Sequence, residues 1–181
     1  MTRGAYRLRD KCIEVIAREQ YQPGYPKWVE WHDMGMPKRP GVSKTTTWCN
    51  EAANAILIEL EYDTRQILHP KGIGWTSATT MYDNSVAMSS RNLSGVFKID
   101  GRLAQALANI GIPILAAARD ITPANGTISH VGIVCPDESQ YDDSRGPLIS
   151  QAGAVNGTRY CVNSFPGLSA PAFFLLPPKA E

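Results

Sequence analysis

Thr45-Thr46-Thr47-Trp48-Cys49-Asn50-Glu51 passes from a run of hydroxyl side chains into a pattern of helical period, and this junction decides the fold. With Thr46 or Thr47 as the N-cap, Cys49 falls at the third or second helical position. The unpaired backbone N–H groups and the positive end of the helix dipole favour a thiolate there. A thiolate is the nucleophilic form of cysteine. Downstream, Ile128-Ser129-His130-Val131-Gly132-Ile133-Val134 reads as a short β-branched strand with a histidine at its entrance. A cysteine at a helix start and a histidine at a strand start supply a thiol nucleophile and a base.

Working outward, Cys49, Ala52, Ala53, Ile56, Leu57 and Leu60 form one apolar stripe, so Cys49 faces whatever packs on its helix, which is expected to run to about Glu61. Before it, Tyr6 to Glu19 reads as an amphipathic helix, with Leu8, Cys12, Val15, Ile16 and Ala17 sharing or bordering one face. The linking segment Gln20 to Lys44 is rich in aromatics, proline and glycine and can hold no long regular element. A helix is expected from about Thr76 to Met88, with Ala78, Met81, Tyr82 and Ser85 on one face. Another is capped by Asp100, turns Leu103, Ala104, Leu107 and Ala108 inward and stops at Gly111. Strands follow over Ile112 to Ala118, Ser129 to Cys135, Pro147 to Ala152, Arg159 to Val162 and Ala172 to Leu176, separated by turn formers such as Asn156-Gly157 and Pro166-Gly167. Strands at this spacing without intervening helices imply an antiparallel sheet. The expectation is one α+β domain over residues 1–181, with a helix and loop in 1–44 and a core in 45–181.

Composition narrows the function. A chain of 181 residues with 43% hydrophobic content can build its own core. Its formal net charge of +1 leaves no electrostatic footprint for nucleic acid. No apolar run approaches the roughly 20 residues of a membrane span. The basic start Met1-Thr2-Arg3-Gly4-Ala5-Tyr6-Arg7 runs into Leu8-Arg9-Asp10-Lys11 where a signal peptide needs an apolar stretch. Synthesis in the cytoplasm without a Sec signal is expected, so action elsewhere needs release or delivery. Cys12, Cys49, Cys135 and Cys161 form no C-x-x-C pair, which removes the zinc-ribbon and thioredoxin motifs. Cys12, Cys135 and Cys161 read as small core hydrophobes, the latter two on strands.

Three strings together carry a resemblance: Thr47-Trp48-Cys49-Asn50 at a helix start, Ala104-Gln105-Ala106-Leu107-Ala108-Asn109 with Gly111, and Ser129-His130-Val131-Gly132-Ile133-Val134. They resemble the NlpC-like and CHAP-like cell-wall peptidases over roughly Thr45 to Asn163. The helix–strand–strand order carries more of the likeness than the literal sequence, and Ser129 stands where those families usually have glycine. The resemblance implies a papain-like fold, with N-terminal helices packed on a C-terminal antiparallel sheet, and cleavage of amide bonds in peptidoglycan. It also implies a polar third residue on the strand after the histidine.

An amide yields only to a strong nucleophile, which a thiolate beside an imidazole provides. The imidazole then protonates the leaving amine. A third group must accept its other N–H to fix tautomer and orientation. Gln151 best matches the resemblance for that role, on the strand next to His130, with Asn163 as the competitor. His32 and His69 sit in loops, though His32-Asp33 could line a groove. Tyr25, Trp28, Trp48 and Trp75 either cover a core edge or supply flat faces for a glycan-peptide substrate. The expected activity is thiol-dependent hydrolysis of peptidoglycan with no cofactor or metal, in a phage lysis protein or a secreted effector. The alternatives are a papain-like hydrolase of another amide or isopeptide, and an inactive binding module on the same scaffold. No sequence feature specifies an oligomeric state.

Overall fold

The computed structural model describes residues 1–22, 49–65, 67, 77–91, 95–119, 129–153 and 156–180. Within them the protein is α+β, with five α-helices, a short 3-10 turn and a six-stranded sheet whose pairings are all antiparallel. The helices are α1 (Arg3–Ile16), α2 (Cys49–Glu59), α3 (Ala78–Ser89), α4 (Gly101–Ala108) and α5 (Cys161–Ser164). The strands are β1 (Phe97–Ile99), β2 (Ile114–Ala118), β3 (His130–Val134), β4 (Leu148–Gln151), β5 (Gly157–Tyr160) and β6 (Ala172–Leu175), arranged β1-β6-β2-β3-β4-β5.

β2 is buried at all five positions and β3 at four of five, so helices or loops cover both faces of the sheet centre. α2 packs on β3 with the expected stripe, since Cys49, Ala52, Ala53, Ile56, Leu57 and Leu60 are all buried. α1 buries Ala5, Leu8, Cys12, Val15 and Ile16 against α2 and β4, and its first turn is capped by Thr2, whose Oγ1 accepts from the Ala5 amide. The α1–α2 seam closes with a charge network. Glu59 accepts from Arg18 at 2.6 and 2.8 Å and from Lys11 at 3.0 Å, and both cations also reach Glu14.

The Arg18 guanidinium, ahead of Lys11, holds the Glu59 carboxyl down to about 2. A depressed folded-state value stabilises the fold above the ordinary 4.5, and that contribution is lost as pH falls from there through about 2. Glu59 is 32% exposed, so solvent screening limits the worth of the network to about 1 kcal/mol. Glu59→Gln is therefore expected to lose about 1 kcal/mol at neutral pH, and to decline less than the parent between pH 4.5 and 2 in denaturant titrations.

Four details depart from the sequence reading, each for a local reason. α4 begins at its Asp100 cap, whose Oδ1 accepts from Leu103 N at 2.8 Å, but Leu103 is 45% exposed and Gln105 takes the inward place at 3%. The Gln105 carboxamide turns inward because it has three partners there: it donates to the Cys135 carbonyl and Asn109 Oδ1 and accepts from the Leu148 amide. Those bonds clamp the end of β3 to the start of β4. Secondly, the strand expected over Arg159 to Val162 ends at Tyr160, and Cys161 opens the helical turn α5 instead. The Cys161 amide still bonds the Pro147 carbonyl, which ends the ladder where the chain turns away. Thirdly, β1 is an edge strand taken from before α4, too short and half-exposed to show alternation. Lastly, α2 stops at Glu59, and Glu61 takes a left-handed conformation (φ 66°) while the Tyr62 amide reaches back to the Leu57 carbonyl. Gly111 does end α4 as expected, at φ 99° and so close to Gly4 that a Cβ would lie 2.3 Å from its carbonyl carbon.

No described helix is long and apolar enough to cross a membrane.

Candidate active site

Three elements meet at one corner. Cys49 is the first residue of α2 as described, His130 the first of β3 and Gln151 the last of β4. β3 and β4 pair with Ile133 opposite Ser150 and Val134 opposite Ile149. Side chains alternate along each strand, so His130 and Gln151 project from one face while Ser150 projects from the other. Gly132 makes the close approach possible, because a Cβ there would lie 2.7 Å from both Ile149 Cγ2 and the Ser150 carbonyl oxygen. The strand histidine is thus brought beside the residue expected to orient it.

Gln151 Oε1 lies 2.9 Å from His130 Nε2. An amide oxygen only accepts, so Nε2 carries the proton and donates. That leaves Nδ1 of the neutral ring to face the Cys49 thiol, which hydrogen-bonds His130. The ring is held on its other sides too. Phe165 lies tilted at 59° with its centroid 5.5 Å from the imidazole, and Gly153 is so near that a Cβ would stand 3.3 Å from Cε1. Ser129, just before the histidine, accepts a 2.8 Å hydrogen bond from the Thr79 hydroxyl of α3. A hydroxyl at that position ties the entrance of β3 to the helix beside it.

Electrostatics follow from this packing. Cys49 is only 8% exposed, and burial pushes its thiol up. The hydrogen bond and charge of His130 outweigh burial, aided by the backbone N–H groups of Val131 and Asn50, and hold the thiol below its usual range. Burial likewise drives His130 down, but Cys49 and then Gln151 raise it above its ordinary value. Both shifts run towards a thiolate–imidazolium pair. The other thiols behave differently. Cys12 is pushed well up by its hydrogen bond to Cys135 and by burial, and burial raises Cys161 to about 11.

Of the residues expected at the site, Cys49, His130 and Gln151 come together, and Asn163 does not. It sits exposed in α5, because the chain turns helical at Cys161 rather than continuing the strand. Trp48, Trp75, Tyr25 and Trp28 lie outside the described residues, as do His32 and His69. Phe165 and Gly153 escaped the sequence reading, since a phenylalanine before Pro166-Gly167 and a glycine after a strand signal only a turn. An open groove of about 1000 Å³, lined by residues including Arg7, Ile58, Asp63 and Lys179, lies at the C-terminal end of α2, away from Cys49. Among the described residues, no group of three His, Cys, Asp or Glu could hold a metal ion. No family model, no curated protein and no solved structure matches the chain.

Proposed function

We propose that the protein is a thiol-dependent hydrolase of papain-like architecture that cleaves amide bonds of bacterial peptidoglycan, as an amidase or endopeptidase. One observation carries the chemistry: the Cys49 thiol lies within hydrogen-bonding reach of the His130 imidazole, whose far nitrogen is fixed by Gln151 at 2.9 Å. The wall as substrate rests on the resemblance of the Cys49, Gln105 and His130 strings to NlpC-like and CHAP-like peptidases.

In this reading Nδ1 of His130 takes the Cys49 proton, and the sulfur attacks the carbonyl carbon of the scissile amide. The oxyanion that forms meets backbone N–H groups at the start of α2, of which the Asn50 amide already faces the sulfur. The imidazolium then protonates the departing amine as the C–N bond breaks, leaving a thioester on Cys49. Water, deprotonated by His130, attacks the thioester and releases the acid and the free thiol. Gln151 keeps Nε2–H occupied throughout, so the ring presents the same nitrogen in every step.

Purified sacculi incubated with the protein are expected to release new amine and carboxylate ends in equal number, identified by mass spectrometry. Intact sacculi beside a Cys49 that iodoacetamide labels rapidly would move the activity to another amide. A Cys49 inert at neutral pH would make the scaffold a binding module.

A further inference from the structure

Asn156 immediately precedes β5, and it is half-buried with three hydrogen bonds. Its Nδ2 donates to the Tyr21 carbonyl at 2.7 Å and to the Ile16 carbonyl at 3.3 Å, and its Oδ1 accepts from the Gly153 amide at 2.9 Å. Two of the partners are 140 and 135 residues away in sequence, at the end of α1 and in the 3-10 turn after it. The Ile16 carbonyl also accepts from Gln22 Nε2 at 2.7 Å, so the shorter bond to the Tyr21 carbonyl is the main anchor of the Asn156 side chain. The third partner, Gly153, sits where an added Cβ would stand 3.3 Å from Cε1 of His130, the ring atom between the two nitrogens.

We propose that Asn156 is a positioning residue for the Cys49–His130 pair. Anchored on the Ile16 and Tyr21 carbonyls, its carboxamide holds the Gly153 amide, and through it the chain against the Cε1 edge of the His130 ring. The inference rests on the Cys49–His130 reading of the site. Gln151 at Nε2, Phe165 beside the ring and the Cys49 thiol position the imidazole on its other sides, and Gly153 flanks its Cε1 edge. Gly153 must stay without a side chain for the same reason: a methyl at 3.3 Å from Cε1 would push the ring by a few tenths of an ångström. A displacement of about 1 Å at a reacting pair costs roughly a hundredfold, so these smaller shifts correspond to about tenfold.

The test is the rate of Cys49 alkylation by iodoacetamide across about pH 5 to 9, with the labelled peptide identified by mass spectrometry. Burial apart, the groups that set the charge of His130 are Cys49 and Gln151, so the acid limb of this profile reports the pair. Asn156→Ala is expected to slow alkylation about tenfold at pH 6 to 7 and to move the acid limb upward, towards that of an ordinary thiol. A purely structural role would lower the melting temperature and leave the limb in place. Gly153→Ala keeps all three Asn156 bonds and is expected to move the limb in the same direction, so it decides the matter if Asn156→Ala does not fold. A folded Asn156→Ala with the parental limb overturns the proposal, as does a parental limb in Gly153→Ala. An unreactive Cys49 in the parent would remove the nucleophile itself, a different failure from a reactive parent whose variants behave identically to it.

Discussion

Cys49→Ala is expected to lower release of wall fragments by about ten-thousandfold or more while leaving the protein folded, because the proposed mechanism makes Cys49 the nucleophile and its loss removes the chemical step and not the binding. The substitution deletes one sulfur at an 8% exposed position where α2 begins, so the α2 stripe keeps its packing. Cys12, Cys135 and Cys161 make the internal comparison. The free thiols of Cys12 and Cys135 interact by a hydrogen bond in the core that, with burial, pushes Cys12 well up, and burial holds Cys161 up to about 11, so neither Cys12 nor Cys161 has thiolate character at neutral pH. Their alanine variants are expected to shift the melting temperature more than the rate, with Cys12→Ala and Cys135→Ala the most affected because each leaves a cavity in close-packed core. Released muropeptides and a thermal melt, taken on all four variants, separate the two effects. A Cys49→Ala protein that still opens sacculi at a tenth of the parental rate would end the thiol mechanism.

The parts of this site legible in the sequence are those governed by local rules. The stripe from Cys49 to Leu60 has helical period, and all six of its residues are buried, five in α2 and Leu60 just past its end. The run from His130 to Val134 is β-branched around one glycine, and it is a central strand. Alternation and strand adjacency then place Gln151 beside His130, which local pairing rules suffice to expect. What escaped depends on contacts across long separations. Leu103 outranks Gln105 as an inward residue on any apolar scale, yet Gln105 has three hydrogen-bond partners and wins the interior position. Cys161 carries no helix signal, and its turn forms because the ladder ends at Tyr160. Asn156 reads as half of an Asn-Gly turn, and only the fold shows its carboxamide spanning to the end of α1. Polar side chains escape this kind of reading most often, because their place depends on partners that periodicity does not name.

Gln151→Ala is expected to lower turnover by about a hundredfold, well short of the loss from Cys49→Ala. Gln151 accepts the Nε2 proton at 2.9 Å but carries no charge, so it sets tautomer and angle and adds little to the basicity of the ring. Removing the orienting residue of a comparable triad costs up to about ten-thousandfold when the wrong tautomer is imposed. Alanine imposes none, and Phe165 still packs on the ring, so the loss should stay well below that limit. Gln151→Glu supplies the stronger test. A carboxylate in the same place still accepts from Nε2–H and favours the imidazolium, so the alkaline limb of the pH–rate profile should move upward while turnover recovers most of what alanine loses. The variant pays a desolvation cost at a position only 8% exposed, and a lower melting temperature is expected with it. Asn163→Ala, exposed in α5, should leave both rate and profile unchanged. A hundredfold loss in Asn163→Ala with none in Gln151→Ala would mean that the working enzyme turns His130 to a different partner. Cys49 and His130 would then remain as nucleophile and base, with the orienting role moved off β4.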